Sequence, residues 1–368
     1  MTLTAGFGGE ADTALRYFRS DVPAKGLRRH GWDVTVEQHV ANEHRGPFQP
    51  WDGNGPPRPA PSVMVLRATN DQSLVGDQYD GPPASLVADI AHARDTGQVV
   101  VLDVDDDLWN IPDWSEVTRN KQGTYPAIDL VMLDKLVGTV DAVTVSTPRI
   151  ADVVSGLDRG ARVELVRNGV DLLDFHPHEP TEGRALRVGW MGGARFHGPH
   201  LRTMIPALDV LPRYGAEFIH LGWVEESWVE SDDLAGEVRD AAPGVTVGWI
   251  DWLPYSLLRQ ALAHIDIGLI PRVPSEFNEG QSTSSGMAYA AAGIPFLCAP
   301  SAEYRRFADE GAGIVCDTLD DWRAGLELLL SNQRARESAA ARGYRAVCNH
   351  SVAQVGDDWH RVLSDLMP

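Results

Sequence analysis

The sequence of 368 residues has few cysteines and lacks long apolar runs. Its three cysteines, Cys298, Cys316 and Cys348, are scattered without CxxC spacing, which argues against a CxxC metal or redox site and for buried free thiols. No apolar run reaches the roughly 18 residues that are needed to cross a bilayer. The first residues lack the basic and apolar segments of a signal peptide, so we expect a cytoplasmic protein.

Positive charge is also scarce, because 52 Asp and Glu residues outnumber 32 Lys and Arg residues and give a formal net charge of −20. A protein that binds a nucleic-acid duplex through its phosphates needs positive charge, so this net charge argues against a nucleic-acid partner. It does not exclude one. One local exception is a basic cluster along the first predicted helix. It consists of Arg16, Arg19, Lys25, Arg28 and Arg29. The cluster is either a solvated helix face or a site for an anionic acceptor or a membrane surface.

What the sequence does contain is a regular alternation of apolar strands and helices. Continuous Val and Leu runs between helices, such as VMVLR and VVVLDV, indicate parallel sheets that are covered on both faces. The alternation occurs twice, over 1–178 and over 186–348, on either side of a polar stretch that contains prolines. The last predicted helix, within 352–368, carries Trp359, Val362 and Leu363 on one stripe. We therefore predict an α/β protein with two doubly wound, Rossmann-like domains.

The boundary between the two halves is marked by the segment VELVRNGVD. Val163, Leu165 and Val166 are predicted to form a buried strand. The pair Asn168-Gly169 then predicts a tight turn, because both residue types tolerate a left-handed backbone.

In open parallel sheets, ligands bind beyond the carboxyl ends of the strands, which selects a few loops. In the first half, the predicted glycine-rich turn Gly6-Phe7-Gly8-Gly9 would let a ligand approach the backbone at Gly8 and Gly9, unless it is a plain tight turn. Asp105 and Asp106 follow a wholly apolar strand. We interpret these carboxylates as contacts to acceptor hydroxyls or to a donor sugar, with capping of the next turn as the alternative.

In the second half, the loop after the first strand contains Gly192, Gly193, Arg195 and His197. Amides of a glycine pair hold phosphate oxygens, and an arginine pairs with them bidentately. Arg195 is thus the first candidate phosphate ligand and His197 a weaker one. The alternative is a surface loop with an incidental arginine.

A second loop of this half leads into a helix that begins with hydroxyl residues. Free amides at a helix start form an anion site that suits a nucleotide diphosphate, although a capped helix that binds nothing is the alternative. The candidate ligands in this loop are Asn278, Gln281, Ser282 and Thr283. Ile250 and Trp252, beyond another strand, would form a flat wall for the nucleotide base, or would belong to the core.

Several segments together resemble the retaining, GT-B-fold glycosyltransferases of the family-4 type. They are VVVLDVDDDLW, DAVTVSTPRI, VRNGVD, LRVGWMGG, DIGLIPR and AYAAAGIP. The acidic DVDDDLW version is similar to that of bacterial and bacteriophage glycosyltransferases, which would place the protein in a host cytoplasm if a phage encodes it. The resemblance implies the GT-B fold, in which two domains face a cleft and the terminal helix crosses back to the N-terminal domain. It also implies that the C-terminal domain binds a nucleoside-diphosphate sugar, that the reaction retains configuration, and that neither a metal nor another cofactor is needed.

The sequence departs from this family at its most diagnostic loop. The family has two glutamates eight residues apart, and the aligned positions here are Gly280 and Ala288. Its common lysines are replaced by Gln281 and Ser285, while Glu279 could substitute for the first glutamate.

The resemblance therefore predicts a glycosyltransferase in which Asp105, Asp106, Arg195 and Glu279 are the catalytic candidates. Its acceptor would be a glycan, a small molecule or a protein. The missing glutamates and lysines leave two alternatives. One is a catalytically degenerate protein that binds a sugar or a partner, and the other is a sugar-nucleotide epimerase on the same fold.

Overall fold

The computed structural model describes residues 4–8, 13–37, 62–68, 83–112, 130–175, 183–192, 194–223, 233–251 and 253–367. The strands are β1 (Thr4–Gly8), β2 (Asp33–Glu37), β3 (Val63–Arg67), β4 (Val99–Val104), β5 (Ala142–Val145), β6 (Val163–Leu165), β7 (Arg187–Met191), β8 (Glu217–Trp223), β9 (Thr246–Asp251), β10 (Ile267–Ile270), β11 (Phe296–Cys298) and β12 (Ile314–Val315).

The α-helices are α1 (Ala14–Arg16), α2 (Val22–Arg29), α3 (Pro83–Asp95), α4 (Leu130–Val137), α5 (Pro148–Gly156), α6 (Ala194–Arg202), α7 (Leu234–Ala241), α8 (Tyr255–Ala261), α9 (Glu276–Glu279), α10 (Ser284–Ala291), α11 (Ala302–Asp309), α12 (Leu319–Ser331), α13 (Gln333–Val347) and α14 (Val352–Leu366). A π-helical turn spans Tyr17–Asp21, and 3₁₀ helices span Leu172–Asp174, Ile205–Tyr214, Leu262–His264 and Cys348–His350. None of the helices in the described ranges is long and apolar enough to span a membrane.

The chain forms two compact units. Unit 1 comprises Met1–Gly169, Gly280–Ser282 and Val352–Pro368, and unit 2 comprises Val170–Glu279 and Thr283–Ser351. Each unit contains one six-stranded sheet in which all strand pairs are parallel. The predicted α/β fold with parallel, Rossmann-like sheets is therefore confirmed.

The sheet of unit 1 has the strand order β2-β1-β3-β4-β5-β6. Its central strands β3, β4 and β5 are buried along their whole length, as their Val and Leu runs predict. Helix α14 packs on α2 and buries the predicted stripe of Trp359, Val362 and Leu363. Gly26 and Gly356 lie at this contact, where a Cβ added to Gly26 would be 2.5 Å from the Gly356 Cα. The absence of side chains at both positions is what allows the two backbones to touch.

The sheet of unit 2 has the strand order β12-β11-β10-β7-β8-β9. Helix α10 lies against it, with the Tyr289 ring packed on Gly268 of β10. A Cβ on Gly268 would come within 2.8 Å of that ring, so glycine is required for this close approach. The packing fixes the position of the α10 N-terminus relative to the end of β10.

Four local predictions are wrong. Gly8 is the last residue of β1, so the predicted turn does not begin before it, and Gly9 lies outside the described residues. Neither Asn168 nor Gly169 has a positive φ, so this pair forms no left-handed turn. The sequence also predicts a single helix over 200–214, but the helical segment begins earlier as α6, at Ala194, and its second part is the 3₁₀ helix Ile205–Tyr214. The strand β6 is only half-buried, because it is the edge strand of its sheet, although the following Val166 is fully buried.

Candidate functional site

A buried ion pair lies at the carboxyl end of the sheet in unit 1. The Arg19 guanidinium donates two hydrogen bonds to the Asp103 carboxylate, one of them from Nε to Oδ2 at 2.9 Å, and both side chains are only 1% exposed. Thr144 Oγ1 donates a third hydrogen bond to Asp103 Oδ1 at 2.6 Å. Burial alone would lower the pKa of Arg19, but the Asp103 charge outweighs it and the pKa is raised. The prediction of an exposed basic cluster is thus wrong for Arg19, which the π-helical turn Tyr17–Asp21 supplies to the interior.

The same arginine determines the orientation of Asn168. Arg19 Nη1 donates to the Val166 carbonyl oxygen at 2.7 Å and to Asn168 Oδ1 at 2.8 Å. Because Asn168 Oδ1 accepts this bond, its amide nitrogen must face the other way. Asn168 Nδ2 donates to Asp105 Oδ1 at 3.1 Å and to Ser282 Oγ at 2.9 Å. The residue predicted as a turn former is therefore a buried amide that holds two of the predicted site residues.

The segment Gly280–Ser282 completes this polar cluster in unit 1. Gln281 Nε2 donates to Asp106 Oδ1 at 2.7 Å, and Thr147 Oγ1 donates to the Gly280 carbonyl oxygen at 2.9 Å. Asp106 is half-buried. The structure thus brings Asp105, Asp106, Gln281 and Ser282 to one edge of the sheet, where carboxylates are suited to accept hydrogen bonds from hydroxyl groups.

In unit 2, the N-terminus of α10 lies after β10 and α9. Thr283 occupies the N-cap position, is 1% exposed, and makes no side-chain capping bond. Its Oγ1 is buried and has no hydrogen-bond partner in the part of the chain that the structure describes. Buried hydroxyls are normally hydrogen-bonded, and the first amides of a helix lack intrahelical partners. The α10 N-terminus therefore combines an unused buried hydroxyl with the positive end of the helix dipole, next to the half-buried Ser284 and Ser285.

Asn278 and Glu279 lie in the short helix that precedes this point. Asn278 is buried and donates from Nδ2 to the Val273 carbonyl oxygen at 2.7 Å, while its Oδ1 has no partner among the described residues. Glu279 is exposed, and its Oε2 accepts a 3.4 Å hydrogen bond from the Ala302 amide. Asn278 is therefore in the interior of unit 2, whereas Glu279 lies at its surface.

The loop after β7 is held by a histidine from the neighbouring strand. His220 Nε2 donates to the Gly192 carbonyl oxygen at 2.7 Å, and its ring stacks on Trp190 with centroids 4.6 Å apart. Burial lowers the pKa of His220 to about 4, despite the opposing hydrogen bond to Gly192. A neutral imidazole therefore fixes the first residue of the predicted phosphate loop.

Other predicted residues of this loop are only partly placed. Arg195 and His197 belong to the first turn of α6, and their side chains lie outside the described part of the structure, as does all of Gly193. Their predicted role as phosphate ligands stays a prediction.

The predicted wall for a nucleotide base lies on β9, an edge strand of the sheet. Trp249 is 53% exposed and Ile250 is half-buried, in keeping with the alternation of a strand. Trp252 lies outside the described residues. No group of three or more His, Cys, Asp or Glu side chains that could hold a metal ion occurs in the described ranges.

Residues 202–361, less than half of the chain, match the family model described as glycosyl transferase-like. No curated protein sequence matches the chain.

Solved structures with the same fold cover nearly the whole chain. HepE from Anabaena, in complex with UDP-glucose, has a TM-score of 0.64 at 12% identity, with 99% of this chain and 100% of that chain covered. Sucrose-phosphate synthase from Thermosynechococcus elongatus has a TM-score of 0.62 at 11% identity, with coverages of 100% and 99%. A glycosyltransferase from Rickettsia africae ESF-5 has a TM-score of 0.63 at 10% identity, with coverages of 99% and 98%. The chain therefore has the fold of the GT-B glycosyltransferases.

Proposed function

We propose that the protein is a cytoplasmic glycosyltransferase that moves a sugar from a nucleoside-diphosphate sugar to an acceptor hydroxyl, with retention and without a metal. The fold of GT-B glycosyltransferases and the glycosyl transferase-like match over 202–361 support this proposal. We assign the acceptor side to residues 1–178 with 352–368, and the donor side to residues 186–348.

The observation that carries the proposal is the start of α10. An anion at a helix N-terminus is stabilised by free amides and by the helix dipole, and the diphosphate of the donor supplies that anion. Thr283 Oγ1, buried and without a partner among the described residues, would donate to a phosphate oxygen. Arg195 and His197 stay the predicted ligands from the first turn of α6.

The departing diphosphate gains negative charge as the sugar–phosphate bond breaks. Donors that are already oriented towards that charge stabilise the transition state without reorganisation. In unit 1, we propose that Asp105 and Asp106 accept hydrogen bonds from hydroxyls of the acceptor or of the donor sugar. Asn168 and Gln281 hold these two carboxylates in place. A glycan, a small molecule or a protein side chain would each supply the acceptor hydroxyl.

Thr283→Val tests the diphosphate site directly. Valine has nearly the same shape but no hydroxyl, and the Thr283 hydroxyl has no described partner to lose, so we expect unchanged stability in urea. Calorimetric titration with UDP, GDP, ADP and TDP should show an affinity about 10-fold lower than that of the unmodified protein.

The control is Thr318→Val, which removes the hydroxyl of another helix N-cap. Thr318 caps α12 in a capping box, so this variant should lose about 1 kcal/mol of stability and keep its nucleotide affinity. Equal affinity of Thr283→Val and the unmodified protein would remove the α10 N-terminus from the donor site. Absence of binding of any diphosphate by the unmodified protein would refute the proposed function.

A second candidate function is a protein that binds a nucleotide-sugar and has lost transfer. It is favoured by Gln281, which replaces a family lysine and is bonded to Asp106, and by Ala288, which is buried in α10. Transfer or donor hydrolysis with any member of a nucleotide-sugar panel would eliminate this candidate. Product analysis without an acceptor would separately detect epimerisation.

A further inference from the structure

Arg272 lies two residues beyond the end of β10, at the carboxyl edge of the sheet in unit 2. The last residue of β10, Ile270, is paired with Cys298, the last residue of β11. The chain then enters α11, whose N-cap Ser301 accepts a hydrogen bond from the Tyr304 amide at 3.2 Å. Because β10 and β11 are adjacent and parallel, their following segments, with Arg272 and Tyr304, meet at the same edge.

Arg272 is a half-buried cation without a counterion in the described residues. No carboxylate there lies within ion-pair distance of it, and its Nε is buried without a hydrogen-bond partner. Removing a guanidinium from water without pairing it is unfavourable, because hydration is lost and nothing replaces it. An arginine in this state favours the binding of an anion.

Tyr304 provides a hydroxyl at the same place. It is 1% exposed, and its Oη has no hydrogen-bond partner in the described ranges. Burial raises the pKa of Tyr304 to about 12, while the nearby charge of Arg272 opposes the rise. The cation and the hydroxyl are therefore neighbours, and both have unused hydrogen-bonding capacity.

Tyr304 also adjoins the first turn of α10. A Cβ added to Gly286, the third residue of that helix, would lie 3.0 Å from the Tyr304 ring. Glycine at this position lets the ring reach the helix start, where Thr283 Oγ1 is the third buried polar atom without a described partner. Tyr304, with Arg272 beside it, therefore lies close to the positive end of the α10 dipole, where Thr283 is the N-cap residue.

We propose that Arg272 is a cationic ligand of the donor diphosphate, with Tyr304 as a hydroxyl donor beside it. This inference rests on the proposed function and names a residue outside the loop that the family resemblance selects. The planar guanidinium would pair with two phosphate oxygens and the tyrosine hydroxyl would donate to one of them. The site takes a diphosphate, and the nucleoside makes no contact with Arg272.

The test is calorimetric titration of Arg272→Gln and Tyr304→Phe with UDP, GDP, ADP and TDP, the matching nucleosides, and inorganic pyrophosphate. Arg272→Gln should weaken diphosphate and pyrophosphate binding by about 10- to 100-fold and leave nucleoside binding unchanged. Tyr304→Phe should weaken diphosphate binding by about 3- to 10-fold. Arg272→Lys, which keeps the charge but not the bidentate geometry, should lie between Arg272→Gln and the unmodified protein.

The matched control is Arg305→Gln, which removes the same charge from the neighbouring helix. Arg305 is ion-paired with Asp317 at the surface, so this variant should bind every probe as the unmodified protein does. A urea midpoint for Arg272→Gln no lower than that of the unmodified protein is also expected, because Arg272 has no carboxylate partner among the described residues and its buried Nε has no hydrogen-bond partner there. A lower midpoint would show a structural role and would overturn the inference.

The outcomes separate this inference from the proposed function. Equal diphosphate affinity in Arg272→Gln and the unmodified protein overturns the role of Arg272 and leaves the donor site intact. Pyrophosphate binding that depends on Arg272, without binding of any nucleotide, supports the anion site and refutes the donor function. Binding of neither probe by the unmodified protein refutes both.

Discussion

The contact between α2 and α14 makes a specific prediction about Gly26. A methyl group there would lie 2.5 Å from the Gly356 Cα and 2.7 Å from the Val352 carbonyl oxygen. Carbon atoms in contact are normally about 3.5–4.0 Å apart. Since both neighbours are backbone atoms, no side chain can turn aside, and Gly26→Ala must push the two helices apart.

The cost follows from what the two helices bury together. Separating them by roughly 1 Å would loosen the packing of Trp359, Val362 and Leu363, which are fully buried on α14. Overpacking a core costs about 1–3 kcal/mol, and the upper end applies where backbone meets backbone. Alanine recovers about 1 kcal/mol through its higher helix propensity. We expect Gly26→Ala to lower the free energy of unfolding by about 2 kcal/mol.

Urea unfolding followed by tryptophan fluorescence measures this change, since Trp32 and Trp359 both lie in unit 1. The matched control is Gly156→Ala in α5, where an added Cβ meets nothing within 4 Å. This control should leave stability unchanged or raise it by up to about 1 kcal/mol. If Gly26→Ala were as stable as Gly156→Ala, the docking of α14 on α2 would be refuted.

Two further predictions concern buried ionisable groups. Asp103→Asn leaves the Arg19 charge buried without its counterion, so the free energy of unfolding in urea should fall by about 3–5 kcal/mol. The control is Asp320→Asn, which breaks an exposed ion pair and should cost less than about 1 kcal/mol. A loss in Asp103→Asn no larger than in Asp320→Asn would contradict this reading of the pair. Folding depresses the pKa of His220 from 6.5 to about 4, so the unfolded chain binds the proton more tightly and stability falls as the pH drops through that window. Between pH 7 and pH 5 the unmodified protein should lose about 2 kcal/mol more than His220→Gln does, and equal losses would show that His220 is not buried as a neutral group.

The strands could be predicted because their signal is local. In β3 and β4, consecutive Val and Leu residues indicate burial on both faces, and the structure buries every residue of these strands. Helix α14 was predictable for the same reason, since its apolar stripe is periodic. The parallel order of the sheets follows from the alternation of strands with helices.

The polar cluster of unit 1 could not be predicted because its contacts are not local. Arg19 and Asp103 are 84 residues apart in sequence, and the arginine lies within a run of basic residues that indicates an exposed face. Asn168 belongs to an Asn-Gly pair, which is typical of a tight turn, but its side chain is bonded across the sheet edge to Asp105. Local propensity therefore predicts the wrong role for Arg19 and Asn168, because the role of each is determined by hydrogen bonds to residues that are distant in sequence.

The departures from the family motif have the same explanation. Set beside the motif of the family that the sequence resembles, Gln281 stands where a lysine is common and Ala288 where a glutamate is expected, which predicts a weakened donor loop. In the structure, the Gln281 side chain donates a hydrogen bond to Asp106. Gln281 therefore has a role in unit 1 that does not require it to bind phosphate. The proposed cationic ligand of the diphosphate is Arg272, a residue that follows a different strand. A binding site is defined by which groups meet in space, so a charge lost at one sequence position can be supplied from another without a trace in the motif.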